Sequence, residues 1–350
     1  MKIGYSCWGF LGNGITDTPD GGRSHRRPLI DELIARGHDI ILLQADRDHL
    51  EAGDDLGDAY VFDDGLPDID VLFLEWRWPI PGRNTTSCGA PGHTCDLHRQ
   101  AQLLRRYTLG RTTPTVIWDK DRQLCSDSIW RRYPHVAVCE AALEPLPGAH
   151  RLLFPVADKL LDNADPNTLA HKHRPVSLTY IGNQYDRDDA FDRYFAPAAA
   201  CLDHRVGGKW PGTARWPHIT FLGRIPFPDV TRRYGDALAT VLLLPEHYAA
   251  TGQMTQRVFE AVTAGCVALA PADIAHADRF VPGELIVASA SEVVQRVSAL
   301  RSIAGTEQHA DLIAACLARL ELFRLSHQAD ALQAVLDTVT SGTGIRRGAA

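Results

Sequence analysis

The sequence has no unbroken apolar run of the ~18 residues that a membrane-spanning helix needs. Its opening segment, MKIGYSCWGF, lacks the charged region, apolar stretch and cleavage site of a secretory signal, so a cytoplasmic protein is expected. Positive charge is not in excess. There are 36 Lys+Arg against 43 Asp+Glu, a formal net charge of -7, with a sequence pI near 6.1. That balance excludes a general attraction to polyanions and leaves nucleic-acid contact to a local basic patch. No short-period repeat is visible. The eight cysteines are scattered, and without a signal segment they read as reduced, mostly buried thiols.

Hydrophobic residues make up 45% of the 350 residues and charged residues 23%, ordinary values for a chain able to bury a sizeable core. The length suits two domains of ~150–175 residues. Lys2–Ser6 reads as a strand. A glycine-rich loop (9–22) follows, then a helix over Ser24–Arg36 with Leu29, Ile30, Leu33 and Ile34 at helical spacing. Asp39–Leu43 completes a βαβ unit. Val71–Leu74, Thr115–Trp118, Val136–Cys139 and Leu152–Phe154 are short apolar runs suited to a parallel sheet covered on both faces.

Asp162–Pro175 is polar, carries two prolines and reads as a linker. Beyond it the alternation restarts: strand Ser177–Ile181, helix Asp188–Ala200, strands His218–Leu222 and Thr240–Leu244, helix Gln253–Ala264, and strands Val267–Leu269 and Leu285–Val287. Long amphipathic helices over Ser291–Ile303 and Asp311–Leu332 end the pattern, and a frayed tail is expected over Ser341–Ala350. The expected division is residues 1–165, residues 176–325, and a helix end with tail at 326–350.

The most informative stretch is Thr251–Pro271, TGQMTQRVFEAVTAGCVALAP. A glycine-containing turn leads into a helix whose first N–H groups suit a diphosphate. Arg257 adds a planar cation for phosphate oxygens, and Glu260, three residues on, lies on the same face. The pattern Thr255, Arg257, Phe259, Glu260, Ala261, Gly265 resembles the GT-B glycosyltransferases, in particular the group related to the spore-maturation CgeB-like proteins and the broader glycosyltransferase group 1 family. The resemblance implies an α/β chain of two Rossmann-like domains facing across a cleft, an N-terminal acceptor domain and a C-terminal donor domain. It implies a nucleotide-sugar donor as co-substrate, its base unknown, with Arg257 at the diphosphate and Glu260 at the ribose. Many retaining relatives carry a second Glu where this sequence has Gly252, so the sugar contact is absent or falls to a residue such as Glu246, and retaining or inverting chemistry stays open. By the same resemblance Gly182, Asn183 and Arg187 (in LTYIGNQYDR) and Gly223 and Arg224 (in TFLGR) approach the nucleotide, and Gly21 and Gly22 approach the donor phosphates. Each of these loops can also be read as a plain structural turn.

Arg23, His25, Arg26 and Arg27 form a basic cluster, and the imidazole of His25 is a candidate acid or base. Glu75 and the pair Asp119 and Asp121 follow strands, where doubly wound sheets bind ligands, and are the carboxylates placed to accept a proton from an acceptor hydroxyl. Trp76 and Trp78 can stack on a sugar or a base, or pack as cleft wall. The Asp119–Asp121 spacing is that of a metal-binding D-x-D. Helix dipoles and cations generally serve instead in the resembled fold, so no metal and no cofactor are expected. Cys88, His93, Cys95 and His98 in CGAPGHTCDLH are soft ligands at short spacing that can bind zinc. The spacing matches no standard finger, and a long flexible acceptor loop is the default expectation.

The function expected is transfer of a sugar from a nucleotide-diphosphate donor to a hydroxyl on a small molecule, glycan or protein. Arg23–Arg27 with Arg105, Arg106, Arg111, Arg131 and Arg132 leave open a DNA glycosyltransferase acting on a hydroxylated base. A non-catalytic nucleotide-binding module and a nucleotide-sugar epimerase are further alternatives.

Overall fold

Two sheets made entirely of parallel strands organise the computed structural model, which describes residues 1–15 and 22–347. The first unit comprises Met1–Gly12, Arg26–Leu153 and the C-terminal segment from Ser326. Its strands are β1 (Lys2–Ser6), β2 (Asp39–Leu42), β3 (Val61–Phe62), β4 (Val71–Glu75), β5 (Thr115–Asp119), β6 (Val136–Glu140) and β7 (His150–Arg151), in the order β3-β2-β1-β4-β5-β6-β7. The second unit runs from Phe154 to Leu325 and takes in residues 13–15 and 22–25. Its strands are β8 (Val176–Ile181), β9 (His204–Gly207), β10 (Ala237–Val241), β11 (Val267–Pro271) and β12 (Ile286–Val287), in the order β12-β11-β10-β8-β9.

The central strands are apolar at successive positions because helices cover both faces of each sheet. Every residue of β4 (VLFLE) and β5 (TVIWD) is buried. Leu72, Leu74, Ile117 and Val138 pack with Leu103, Leu104 and Tyr107 from the helical segment that starts at Asp96. In the second unit Ile181, Tyr234, Ala237, Ala261 and Ala264 make a tighter cluster, whose small side chains let the helix Arg257–Thr263 lie close to the sheet. Among the described residues no helix is long and apolar enough to cross a membrane.

Several expectations need correction. Leu152–Phe154 forms no strand, and the edge strand β7 (His150–Arg151) lies just before it. Leu153 instead gives its N–H to Gln328 Oε1 at 2.8 Å. His218–Leu222 forms no strand, only a bridge from Phe221 to Val206. The strand expected at Thr240–Leu244 begins three residues earlier. The helix expected from Gln253 begins at Arg257. The polar stretch 162–175 is partly helical: Asp165 caps Pro166–Ala170 by accepting from the N–H groups of Asn167 and Thr168, both at 3.1 Å, with Pro166 at the first helical position. Arg174, near its end, donates to the carbonyls of Gly235, Ala237, Leu169 and Ala264 at 2.8–3.2 Å and so ties a helix end to the strand beside it. The helix expected at Asp311–Leu332 is two, Glu307–Arg319 and Leu325–Arg347, broken at the turn Leu320–Phe323. The second continues into the stretch expected as a tail. It runs to Arg347 and buries Ala329, Leu332, Leu336 and Val339. Residues 348–350 lie outside the described residues.

Leu332 is fully buried, so Leu332→Ala is expected to lower the unfolding free energy by about 2–5 kcal/mol. Urea denaturation followed by circular dichroism checks this, and an unchanged midpoint would show that the final helix lies outside the cooperative core.

Candidate functional site

The second unit gathers the residues expected at the donor. β8 ends at Ile181, and the chain turns through Gly182 and Asn183. A Cβ on Gly182 would lie 2.6 Å from Arg257 Nε and 2.7 Å from the Tyr180 hydroxyl, and one on Gly208 would lie 2.2 Å from the Gly182 carbonyl oxygen. Only glycine lets these segments and the Arg257 guanidinium come so close. Arg257 Nε donates to the Ile181 carbonyl at 2.9 Å, NH1 donates to Thr255 Oγ1 at 3.2 Å, and the guanidinium carbon lies 5.8 Å from the Tyr180 ring centre. Glu260, half-buried, accepts a 2.6 Å hydrogen bond from the Ser24 hydroxyl. Burial raises its pKa, against the lowering effects of Ser24 and Arg257. Ser24 was not singled out from sequence. Its only signal was its place in DGGRSHRR, among residues chosen for charge.

Other expected donor residues have structural duties. Asn183 Oδ1 accepts the Lys209 N–H at 2.8 Å and fixes the neighbouring loop. Arg187, expected to reach phosphate, is buried. Its guanidinium donates to the carbonyls of Leu243, Asn183 and Tyr185 at 2.8–3.3 Å. Gly223 has φ of 71°, a conformation that favours glycine, and Arg224 beside it is exposed. Gly22 is a buried turn residue, and Gly21 lies outside the described residues. Gly252 has φ of 60°, so a glutamate there would sit on strained backbone, and Glu246 is exposed at the start of a short helix. His25, considered as an acid or base, is buried with its ring stacked on Phe154 at 4.4 Å between centroids.

The first unit holds the candidate carboxylates. Glu75 is fully buried at the end of β4. Arg26 Nε and NH2 reach its two oxygens at 2.8 and 2.9 Å, Lys120 Nζ approaches Oε2 at 2.6 Å, and the Tyr5 hydroxyl donates to Oε1 at 2.6 Å. Burial works to raise its pKa, but Arg26 and then Lys120 outweigh it and hold the carboxyl well below the usual range. A carboxylate so bound is a weak base with both oxygens occupied, which corrects the expectation for Glu75. Trp76 packs against the apolar core cluster rather than standing open, while Trp78 is half-buried and its carbonyl accepts from Asn84 Nδ2 at 3.0 Å.

Asp119 closes β5 and accepts the N–H groups of Gln123 and Leu124 at 3.0 and 2.8 Å. These bonds hold a tight turn in which Arg122 takes the left-handed φ of 51° and donates to Glu140 at 2.8 Å. Burial pushes the Asp119 carboxyl up to about 6, with Asp121 and Glu140 adding to the rise and the two N–H bonds opposing it. Asp121, on the same turn, is half-exposed. It is the one expected carboxylate here with solvent access.

Residues 189–334 match the model of a family described as Glycosyl transferase-like. No curated protein matches the chain in sequence. Among solved structures, the T4 phage β-glucosyltransferase in complex with UDP and Mn2+ superposes with a TM-score of 0.65 at 14% identity, over 96% of this chain and 100% of that one. A glycosyltransferase from Rickettsia africae gives 0.61 at 12% identity over 97% and 98%, and Anabaena Alr3699/HepE in complex with UDP gives 0.58 at 11% over 97% and 100%. The fold is GT-B, and the enzyme class is glycosyltransferase. Within this glycosyltransferase, Thr255, Arg257 and Glu260 fall inside the family-matched segment. Gly182, Asn183 and Arg187 precede it.

Two outcomes follow from the carboxylates. Arg26→Met removes the bidentate partner of buried Glu75 and is expected to cost about 3–5 kcal/mol, measured by chemical denaturation, and full stability would show that Lys120 alone suffices. The folded chain holds the Asp119 proton up to about pH 6, whereas an unfolded aspartate titrates near ~3.9. Asp119 therefore contributes stability below about pH 4 that is lost as the pH rises through about 6. The stability of the wild type relative to Asp119→Asn is expected to fall across that window, and a flat difference would refute it.

Proposed function

We propose that this glycosyltransferase moves a sugar from a uridine-diphosphate donor to an acceptor hydroxyl by an inverting displacement that needs no divalent metal. The observation that carries the reading is Arg257, a permanent cation held beside the Gly182 turn with Glu260 one helical turn away. The guanidinium presents donors to the diphosphate and balances the charge that collects on it as the bond to the sugar breaks. Glu260 accepts from the ribose hydroxyls. The T4 phage and Anabaena structures are complexes with UDP, which supports a uridine base. The stretch Thr255–Gly265 supports a place among the CgeB-like group.

In the first unit Asp121 takes the proton of the acceptor hydroxyl as its oxygen bonds to the anomeric carbon, and the nucleoside diphosphate leaves. Asp119, through its two backbone bonds, positions that turn. The left-handed backbone at Gly252, where many retaining relatives place a glutamate, supports inversion. A cavity of about 1000 Å³ in this unit is lined by Arg99, Arg105 and Arg106, by Arg47 paired with Glu51, and by Asp64, which leaves a net positive wall toward an acceptor. A duplex DNA acceptor is less favoured, although a DNA-modifying β-glucosyltransferase shares the fold. Of the eight expected arginines, Arg26 and Arg131 are held by the buried carboxylates Glu75 and Glu140, and Arg111 pairs with Asp68, which weakens the basic track such an acceptor needs.

Arg257→Ala is expected to lower kcat/KM for donor by roughly 10²–10³ and to abolish the thermal shift given by UDP. Asp121→Asn is expected to lower kcat by roughly 10²–10⁴ while that shift persists. Steady-state transfer assays without added Mg2+ or Mn2+ check both, and a fully active Arg257→Ala enzyme would reject the donor assignment.

A further inference from the structure

The segment between β4 and the helix Asp96–Leu103 was expected to be a flexible loop, yet it is internally ordered. Asn84 is buried and acts as its hub. Its Oδ1 accepts the Ile80 N–H at 2.6 Å, and its Nδ2 donates to the Trp78 carbonyl at 3.0 Å and to Asp96 Oδ2 at 3.3 Å. Gly89 and Gly92 take φ of 83° and 76°, and the turn bonds Ala90 N–H to Ser87 O and His93 N–H to Ala90 O fold the tip back on itself. Cys95 occupies the cap position of the helix without using its side chain as a cap, and His98 follows one turn later on the same face.

This folding brings together Cys88, His93, Cys95 and His98, whose ligand atoms all lie within 4.8 Å of one another. Cys88 Sγ is already 3.2 Å from His98 Nδ1. A tetrahedral zinc ion with bonds of about 2.0–2.3 Å needs ligand atoms roughly 3.3–3.8 Å apart, so the quartet requires only a small contraction.

His93 supplies an independent sign. Its Nδ1 lies 3.0 Å from Thr86 Oγ1, and that hydroxyl donates to the Arg83 carbonyl at 3.3 Å. In the tautomer where that hydroxyl accepts from Nδ1–H, the lone pair sits on Nε2. Nε2 is buried and has no hydrogen-bond partner. A ring held in one tautomer through its far nitrogen is the arrangement of a metal-ligating histidine.

We infer that Cys88, His93, Cys95 and His98 form a structural zinc site that closes the loop after β4. Two thiolates balance the charge of the dication. Four protein ligands leave no open position, so the ion holds structure rather than activating water. Zinc binding displaces the two thiol protons to solvent and involves no change of oxidation state. Cys95 and His98 also line the 1000 Å³ cavity, so the ion stiffens part of its wall. The inference rests on the first unit alone and is independent of the donor assignment.

The test uses the full chain, purified without chelator. Metal analysis is expected to find one zinc per chain, and cobalt(II) added to the chelator-treated protein is expected to give the visible absorption of a tetrahedral thiolate site at one equivalent. Cys88→Ser and His93→Ala should each lose that signature, whereas Cys125→Ser keeps it. A second readout needs no variant. A thiol reagent should label exposed Cys125 and Cys201 at once, but Cys88 and Cys95 only after a chelator is added. Equal labelling of all four thiols before chelation, failure of the unmutated chain to take up cobalt, or a Cys88–Cys95 disulfide in the metal-free purified protein would each overturn the assignment.

Discussion

Glu75 is a full negative charge with no access to water, and the first unit is arranged to make that tolerable. An isolated buried carboxylate is too costly to persist ionised. Here Tyr5 comes from β1, Arg26 from the helix that follows it, Glu75 from β4 and Lys120 from the turn after β5. Those three strands are neighbours in the sheet. The network therefore fixes the carboxyl ends of the central strands relative to one another, and Arg26 NH1 also holds the Phe10 carbonyl at 3.0 Å. Such networks add little net stability over an apolar core, but breaking one partner is expensive. What this one gives is a defined geometry at the strand ends, where ligand-binding loops begin.

The second unit meets the same need with backbone rather than carboxylates. Helix ends and strand ends leave carbonyl groups that must find donors, and three arginines serve them: Arg174 bridges four carbonyls, mostly at helix ends, Arg187 three, and Arg257 one. The last two differ in burial and in how many carbonyls they serve. Arg187 is buried and committed to three carbonyls, so it is part of the scaffold. Arg257 gives only Nε to a carbonyl and keeps the side chain less buried, beside a turn that only glycine allows. Burial of the first therefore organises the surface on which the second can meet a ligand.

Legibility in the sequence followed the range of the interactions. Parallel strands covered on both faces are short apolar runs, so β1, β4, β5, β6, β8 and β11 could be read within a residue or two. Edge strands such as β3 and β7 are two residues long and carry no such run. The cap at Asp165-Pro166 is a local signal, but it sits within a polar stretch whose composition reads as a linker. The motif around Arg257 and Glu260 could be found because its spacing is local. Arg26 with Glu75 are 49 residues apart, and Ser24 with Glu260 are 236 apart, and no local pattern encodes such pairs. This is why Arg187 and Glu75, both conspicuous as charges, are scaffold, while Ser24 went unnoticed.

The turn after β5 shows how scaffold and chemistry divide within a few residues. Asp119 is buried with its pKa pushed up to about 6, and it accepts two N–H bonds across a turn whose Arg122 sits in the left-handed region. The environment disfavours the charged form, yet the hydrogen bonds require an acceptor there. Either protonation state can supply one, since a neutral carboxyl still offers oxygen lone pairs. The turn can thus survive titration of Asp119, and Asp121 keeps its position through it. A base needs access to its substrate, and burial denies that to Asp119 as it does to Glu75. Solvent access separates carboxylates that sequence alone left equal, and the proposed mechanism accordingly uses Asp121.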